Sequence, residues 1–328
     1  IIITLMLLIG AAGLHGEKGK KLVWPPARNP GKIEFVAMIT KAEDLKIEKG
    51  FFSKILDFVA GNEERILVKP FGLHADDDGR VFVSDTAAKA VFFFDPKNNK
   101  TKIIEGSNKR NFLSPMDIAG DDRGNIYVSD SVLATIFVFD AKGEFLHEIG
   151  SSHKLHRPTG IAVNKRLERL YVVDSLVSQI KVFSLKGKFI KTIGNYGADK
   201  GEFNRPTFLT IDDEGTLYVS DTMNHRIQIL DSEGEFLRTF GKLGGTIGSF
   251  ASPRGIAVDY EKNIYVIDNL FNAIQIFNQQ GEVLLVLGRY GDDKGEFAMP
   301  TDIMITPEGT IYISDSYNMR LQQLKRLK

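Results

Sequence analysis

The chain has no cysteine in 328 residues. Disulfide staples, thiol nucleophiles, cysteine-ligated zinc and a lipidated N-terminal cysteine are therefore excluded. It also lacks a charge excess. Forty-two basic and forty-two acidic side chains cancel, so no bulk field draws the protein to nucleic acid or to acidic surfaces. Tryptophan occurs once and histidine six times. No apolar run is long enough to span a bilayer. Residues 1–14, Ile1 through Leu14, are almost wholly apolar, but as a helix they would reach about 21 Å against a hydrocarbon core of ~30 Å. Small residues at 10–13 suit signal-peptidase cleavage, so residues 1–16 read as a signal peptide, with an uncleaved membrane anchor as the alternative. The expected location is outside the cytoplasm: periplasmic, cell-surface or secreted.

What remains is an ordinary globular composition, 43% hydrophobic and 26% charged, arranged around one repeated phrase. The clearest copy opens at Pro206 and runs through Asp212, Gly215, Tyr218, Asp221, Asn224-His225-Arg226 and Gly234 to Gly241. Copies open at Pro70, Pro115, Pro158, Pro206, Pro253 and Pro300, with central aspartates at Asp85, Asp130, Asp174, Asp221, Asp268 and Asp315. The aspartates are 45, 44, 47, 47 and 47 residues apart. A fixed period of this length means one supersecondary unit stacked on copies of itself. Each copy reads as four short strands, in the fourth at 208–211, 216–220, 226–230 and 235–240. Turns such as Asp212-Asp-Glu-Gly215 have Asp to bond the local backbone and Gly to supply a positive φ. Apolar residues on both sides of the alternation call for sheets packed on both faces. The expectation is all-β: a six-bladed β-propeller of four-stranded antiparallel blades.

The phrase Asn224-His225-Arg226 between Val-Ser-Asp and Ile-Gln-Ile resembles the NHL repeat. Related endings occur at Asn272-Ala-Ile-Gln-Ile and Asn318-Met-Arg-Leu-Gln, and residues 197–206 and 291–300 match that family's linker, Gly-x-x-x-Gly-x-Phe-x-x-Pro. The resemblance covers residues 32–328. With its proline-stiffened lead-in at 17–31, the chain resembles exported bacterial NHL-repeat proteins. The resemblance specifies a fold but not an activity.

The repeat is offset from the chain ends. The sixth copy stops at Lys328 after three strands, while residues 31–39 repeat the fourth-strand pattern. The N-terminal strand is thus expected to complete blade six and remove an open edge. Before it, Trp24-Pro25-Pro26 reads as a strap with Trp24 in a pocket, or as a docking peptide. After it, residues 50–61 carry apolar residues at helical spacing between glycines, which predicts a short amphipathic helix on the rim.

Several stretches imitate chemistry. Asp76-Asp-Asp-Gly79 and Asp121-Asp-Arg-Gly124 look like calcium loops but lack the acidic twelfth position. The six central aspartates are better explained as carboxylates capping their own loops than as a metal crown. Propeller lyases of this family place metal-binding histidines from several blades around the axis. Here the repeats equivalent to His225 carry Lys89, Ala134, Ser178, Asn272 and Met319, and those equivalent to His74 carry Ala119, Ala162, Thr210, Ala257 and Met304. No three histidines converge at equivalent positions, so no cofactor is expected beyond an adventitious or structural divalent ion. His153 and His156 share a linker at a spacing that would hold a metal only weakly.

One face collects the loops between second and third strands together with the inter-blade linkers. It gathers Arg205, His225, Arg226, Arg254, Phe271, Asn272, Tyr317 and Arg320. Arginine and aromatic residues on loops are the composition of recognition surfaces. Asp199, Glu202, Asp292, Asp293 and Glu296 on the same linkers oppose phosphate, so RNA binding, as in some eukaryotic NHL domains, is not expected. The expected function is a monomeric, non-catalytic binding module for a protein, peptide or envelope polymer. The alternatives are a metal-dependent lyase or hydrolase at the axial channel, and a sensor-like ectodomain tethered through residues 1–14.

Overall fold

In the computed structural model, residues 21–25, 32–45, 67–150 and 155–327 are described. The leader at 1–16, the helix expected at 50–61 and His153 lie outside them. The described residues form six antiparallel sheets arranged as blades. Blade four consists of Leu209–Ile211, Leu217–Asp221, Arg226–Leu230 and Phe236–Phe240, within one residue of the sequence reading at each boundary. Second strands such as Leu217–Asp221 and Ile264–Asp268 are buried at every position. Fourth strands are partly exposed. This gradient follows from radial sheets whose two faces both meet neighbours near the axis.

There is no single central core. Buried apolar residues form six clusters, one for each blade-to-blade interface. Between blades one and two, for example, Phe82, Val91 and Ile104 meet Phe112, Ile126 and Phe137. The hairpin turn between first and second strands is tied by an Asp in four blades, by Asn164 in blade three and by Thr306 in blade six. Asp121 Oδ1 accepts from the Arg123 and Asn125 amides, and Asp212 Oδ1 from those of Glu214 and Thr216. The tyrosines Tyr127, Tyr218 and Tyr265 donate to the second carboxylate oxygen of Asp121, Asp212 and Asp259. The calcium-like motifs are turn chemistry.

Blade six closes the ring as expected, and with one strand more than expected. Ile33–Ile39 pairs with Arg320–Arg326, and Val23–Trp24 adds a fifth strand outside it. The Trp24 ring packs against Gly295, where a Cβ would collide with it. The described part of the lead-in, residues 21–25, therefore lies as a strap on blade six, and its two-residue strand offers little edge to a foreign strand. At the inner end of the seam, Asp302 Oδ2 accepts the Leu73 amide at 2.8 Å, and Thr301 Oγ1 donates to Phe71 O at 2.9 Å.

At the axis, the rings of Phe71 and Phe208 stack with centroids 5.8 Å apart. They come from blades one and four, which are opposite in a ring of six, so aromatic carbon fills the axis at this level. Met116 of blade two packs on the same cluster.

Ile39 is fully buried where blades six and one meet. Ile39→Ala is expected to cost about 2–5 kcal/mol in chemical unfolding. Removal of residues 1–39 should abolish cooperative unfolding and cause aggregation, read by calorimetry and size-exclusion chromatography. A truncated protein that melts as high and as sharply as the full chain would show that this strand does not hold the ring.

Candidate functional site

The face carrying the linkers is built on the six central aspartates, all completely buried. Each ends the second strand of its blade. In blade two, Asp130 Oδ1 accepts the Val132 and Leu133 amides of its own turn, and Oδ2 accepts the Leu113 and Ser114 amides of the incoming linker. Asp85 does the same with Ala87, Ala88, Val68 and Lys69. The carboxylate thus caps the loop, as its sequence position implied, and also fastens the linker.

Blades four and six solve the same problem with side chains. Asp221 Oδ2 receives the Arg226 Nε at 2.8 Å, the Asn224 amide at 2.8 Å and the Gln228 amide at 3.1 Å. Arg226 then donates to the carbonyls of Ala198, Asp199 and Glu202 along the linker. Arg320 repeats this with Asp315 and the carbonyls of Asp292, Asp293 and Glu296. In blade five Ala273 replaces the arginine. There burial, with no cation opposite, raises the Asp268 carboxyl above its ordinary range even though backbone amides hold it.

The sequence-derived candidates therefore separate. Arg226 and Arg320 face the scaffold, with side chains only 15% and 7% exposed. His225 occupies the left-handed turn position (φ 55°) that Lys89, Ala134, Ser178, Asn272 and Met319 hold in the other blades. Its Nδ1 lies 2.9 Å from the Ala251 carbonyl. Asn272 Oδ1 accepts the Met299 amide, and Phe271 is half-buried. Tyr317 is 61% exposed, with the Lys69 ammonium over its ring. Arg205 is exposed. Arg254 is half-buried, and its Nε is enclosed with no acceptor.

Of the apolar side chains on this face, the sequence reading found Tyr317 and the turns around Tyr196 and Tyr290 but not the ring to which they belong. Two residues beyond each central aspartate stand Ala87, Val132, Leu176, Met223, Leu270 and Tyr317, all exposed. Tyr196, Leu243 and Tyr290 occupy equivalent linker positions and are exposed, while Phe203, Phe250 and Phe297, which bridge to them, are wholly buried. Of the eighteen exposed large apolar side chains among the described residues, twelve lie on this face. Five others occupy outer strands, and only Tyr260 belongs to the opposite face. The constant offset from the aspartate was the available signal.

Toward the axis, two buried carboxyls join blades. Asp117 Oδ2 accepts the Ile161 amide at 2.8 Å, as Asp302 does that of Leu73. Gly72 leaves the room Asp117 needs and Gly255 that of Asp302, since a Cβ would fall 2.9 Å from Asp117 Oδ1 and 2.8 Å from Asp302 Oδ1 respectively. Burial pushes Asp117 up to about 7. Burial, then the charge of Asp117, raises Asp302 well above the carboxylate range. His74 is half-buried beside Phe82 and is lowered to about 4 by desolvation. Among the described residues, no group of three or more histidine, aspartate or glutamate side chains is arranged to hold a metal ion.

Two substitutions on one turn separate scaffold from surface. Arg320→Ala leaves Asp315 buried without its cation and should cost about 3–5 kcal/mol in urea unfolding. Tyr317→Ser, three residues away, should stay within about 0.5 kcal/mol of wild type. The Asp117 carboxyl gives a pH signature. Its folded pKa is raised, so the proton it holds stabilises the fold at acid pH, and this stabilisation is lost as pH rises from about 4 to about 7. Asp117→Asn keeps an acceptor for Ile161 but cannot titrate. The stability of wild type relative to this variant should fall across that window by an amount on the order of a few kcal/mol. A pH-independent difference would mean that Asp117 is already ionised at pH 4.

Comparisons with known proteins agree with this architecture. A family model described as a 6-bladed beta-propeller matches residues 157–241, and one for the NHL repeat matches residues 297–324. No curated protein matches significantly. Among solved structures, a structural genomics protein of unknown function from Bacteroides thetaiotaomicron VPI-5482 superposes with a TM-score of 0.64 at 19% identity, over 80% of this chain and 70% of that one. Virginiamycin B lyase from Staphylococcus aureus gives 0.59 at 16% identity, over 79% and 96%. A chain of the nidogen/laminin complex gives 0.54 at 22% identity, over 68% and 81%. These similarities establish fold, and they include binding and enzymatic proteins alike. The chain is a six-bladed β-propeller whose residues 297–324 match the NHL repeat.

Proposed function

We propose that the protein is an exported, non-catalytic binding module that captures a protein or peptide partner on the linker face of the propeller. The observation that carries this reading is the ring of exposed apolar residues two positions beyond the central aspartates. Val132, Leu176, Met223, Leu270 and Tyr317 are 47–62% exposed, so the blade cores do not need them. Isolated exposed apolar residues are unremarkable, but their concentration on one face is the mark of an interaction surface. The turns beneath are held by buried carboxylates, so the ring is presented with little conformational entropy left to lose on binding. Export is the reading of residues 1–14, and no helix of the described residues is long and apolar enough to cross a membrane.

The test is selection from a displayed random-peptide library on three immobilised proteins: wild type, Met223→Ser/Leu270→Ser/Tyr317→Ser, and an outer-strand control, Leu146→Ser/Leu237→Ser/Leu284→Ser. All six positions are exposed, so each protein should fold with near-native stability. Peptides should be retained by wild type and the outer-strand control and lost by the face variant. Equal retention by the face variant would refute the reading. Peptides retained by that variant but lost with EDTA would transfer the activity to a metal-centred site.

A further inference from the structure

Three arginines at the heads of consecutive innermost strands have no partner for their guanidinium groups among the described residues. Arg157 precedes Pro158 in blade three, Arg205 precedes Pro206 in blade four, and Arg254 follows Pro253 in blade five. The contrast with Arg226 and Arg320 is sharp, because those two are saturated by a carboxylate and linker carbonyls. Arg254 is the most informative. Its Nε is completely enclosed with no acceptor, while its backbone carbonyl is fixed by Ser220 Oγ at 2.5 Å. The other blades carry Phe71, Met116, Thr159, Thr207 and Thr301 at this position, so the fold itself needs no cation there. Burial and the neighbouring Arg157 both disfavour its charge.

Asp199 and Glu202 share the linker with Arg205, but no carboxylate pairs with any of the three guanidinium groups among the described residues. The central aspartates of these blades, Asp174, Asp221 and Asp268, are completely buried and already bonded. The linker from blade four to blade five, residues 242–252, contains no acidic residue. In the same three blades the apolar ring presents Leu176, Met223 and Leu270, each exposed. A donor with an enclosed, unmet N–H and a like charge beside it lacks a planar anion, and carboxylates bond guanidinium forks in that manner.

We propose that the strand heads of blades three to five form a carboxylate-binding site. Arg254 and Arg157 receive an acidic group of a peptide partner whose apolar side chains rest on Leu176, Met223 and Leu270. The inference rests on the linker-face reading and adds the chemistry of the partner. The acidic group is either a C-terminal carboxylate or an Asp or Glu side chain, and the shared chemistry is the carboxylate.

The experiment uses the full chain and defined peptide pools. Random apolar heptapeptides are presented as free acids, as C-terminal amides, and as amides with one Asp or Glu. Binding is read by fluorescence anisotropy against wild type, Arg254→Gln, Arg157→Gln and the apolar-face triple Ser variant. Free acids or acid-bearing amides should bind wild type at least about ten-fold more tightly than neutral amides, and Arg254→Gln should erase that preference. Whichever acidic pool binds identifies the source of the carboxylate. Arg157 is exposed, so Arg157→Gln preserves the test if Arg254→Gln fails to fold. Neutral amides that bind as tightly as acids, with loss only in the triple Ser variant, would overturn the carboxylate site and leave the linker-face reading standing. A preference for acids that survives both arginine substitutions would also overturn the site. Binding by no pool would count against both.

Discussion

Each blade depends on one buried carboxylate. The aspartate at the end of the second strand sits where a tight turn and an incoming linker both present amides with no strand to pair with. Unpaired, buried amides would each cost about 1–3 kcal/mol. An ionised carboxylate, with two oxygens and several acceptor directions, meets several of them from one residue. Removing this side chain would unfasten a turn and a linker together, so the residue recurs in all six units while its neighbours drift.

The different ways of completing that carboxylate's coordination decide which side chains remain for recognition. Where linkers supply two amides, as at Asp85 and Asp130, the turn needs no further donors. At Asp221 and Asp315 the linker gives one amide, and Asn, Arg and Gln side chains fill the remaining positions. The most family-like residues are therefore scaffold. The positions the scaffold does not constrain are the second residue of each turn and the residues flanking each inner proline.

This explains what could be read in advance. Period, turn chemistry and two-sided apolar strands follow from local sequence, so the blades and the closing strand were legible from Pro70 to Lys328 and at 31–39. Arg226 and Arg320 were read as surface because loop arginines usually are. Their true direction depends on carbonyls about 24 to 28 residues upstream, which no local pattern reveals. The pairing of Phe71 with Phe208 and the charge coupling of Asp117 to Asp302 join blades far apart in sequence. The apolar ring was the avoidable omission. Its residues differ in identity, from Ala87 to Tyr317, and only their common distance from the aspartate unites them.

The zero net charge conceals a division across the disc. Opposite the linker face, the turns joining first and second strands are rich in acid: Asp76 to Asp78, Asp121 and Asp122, Asp212 to Glu214, Asp259 and Glu261. Several are bound locally, as Asp212 is by Lys262 and Asp259 by Arg326, and the exposed surface there is polar apart from Tyr260. On the linker face the carboxylates nearest the axis are buried and bonded, while Arg157, Arg205 and Arg254 are unmatched. A composition that excludes long-range attraction to polyanions still permits a short-range, desolvated cationic pocket beside an apolar ring. Such a pocket gains its strength from contact geometry and enclosure, which net charge does not measure. With Phe71 and Phe208 stacked across the axis, aromatic carbon separates the two chemistries at that level.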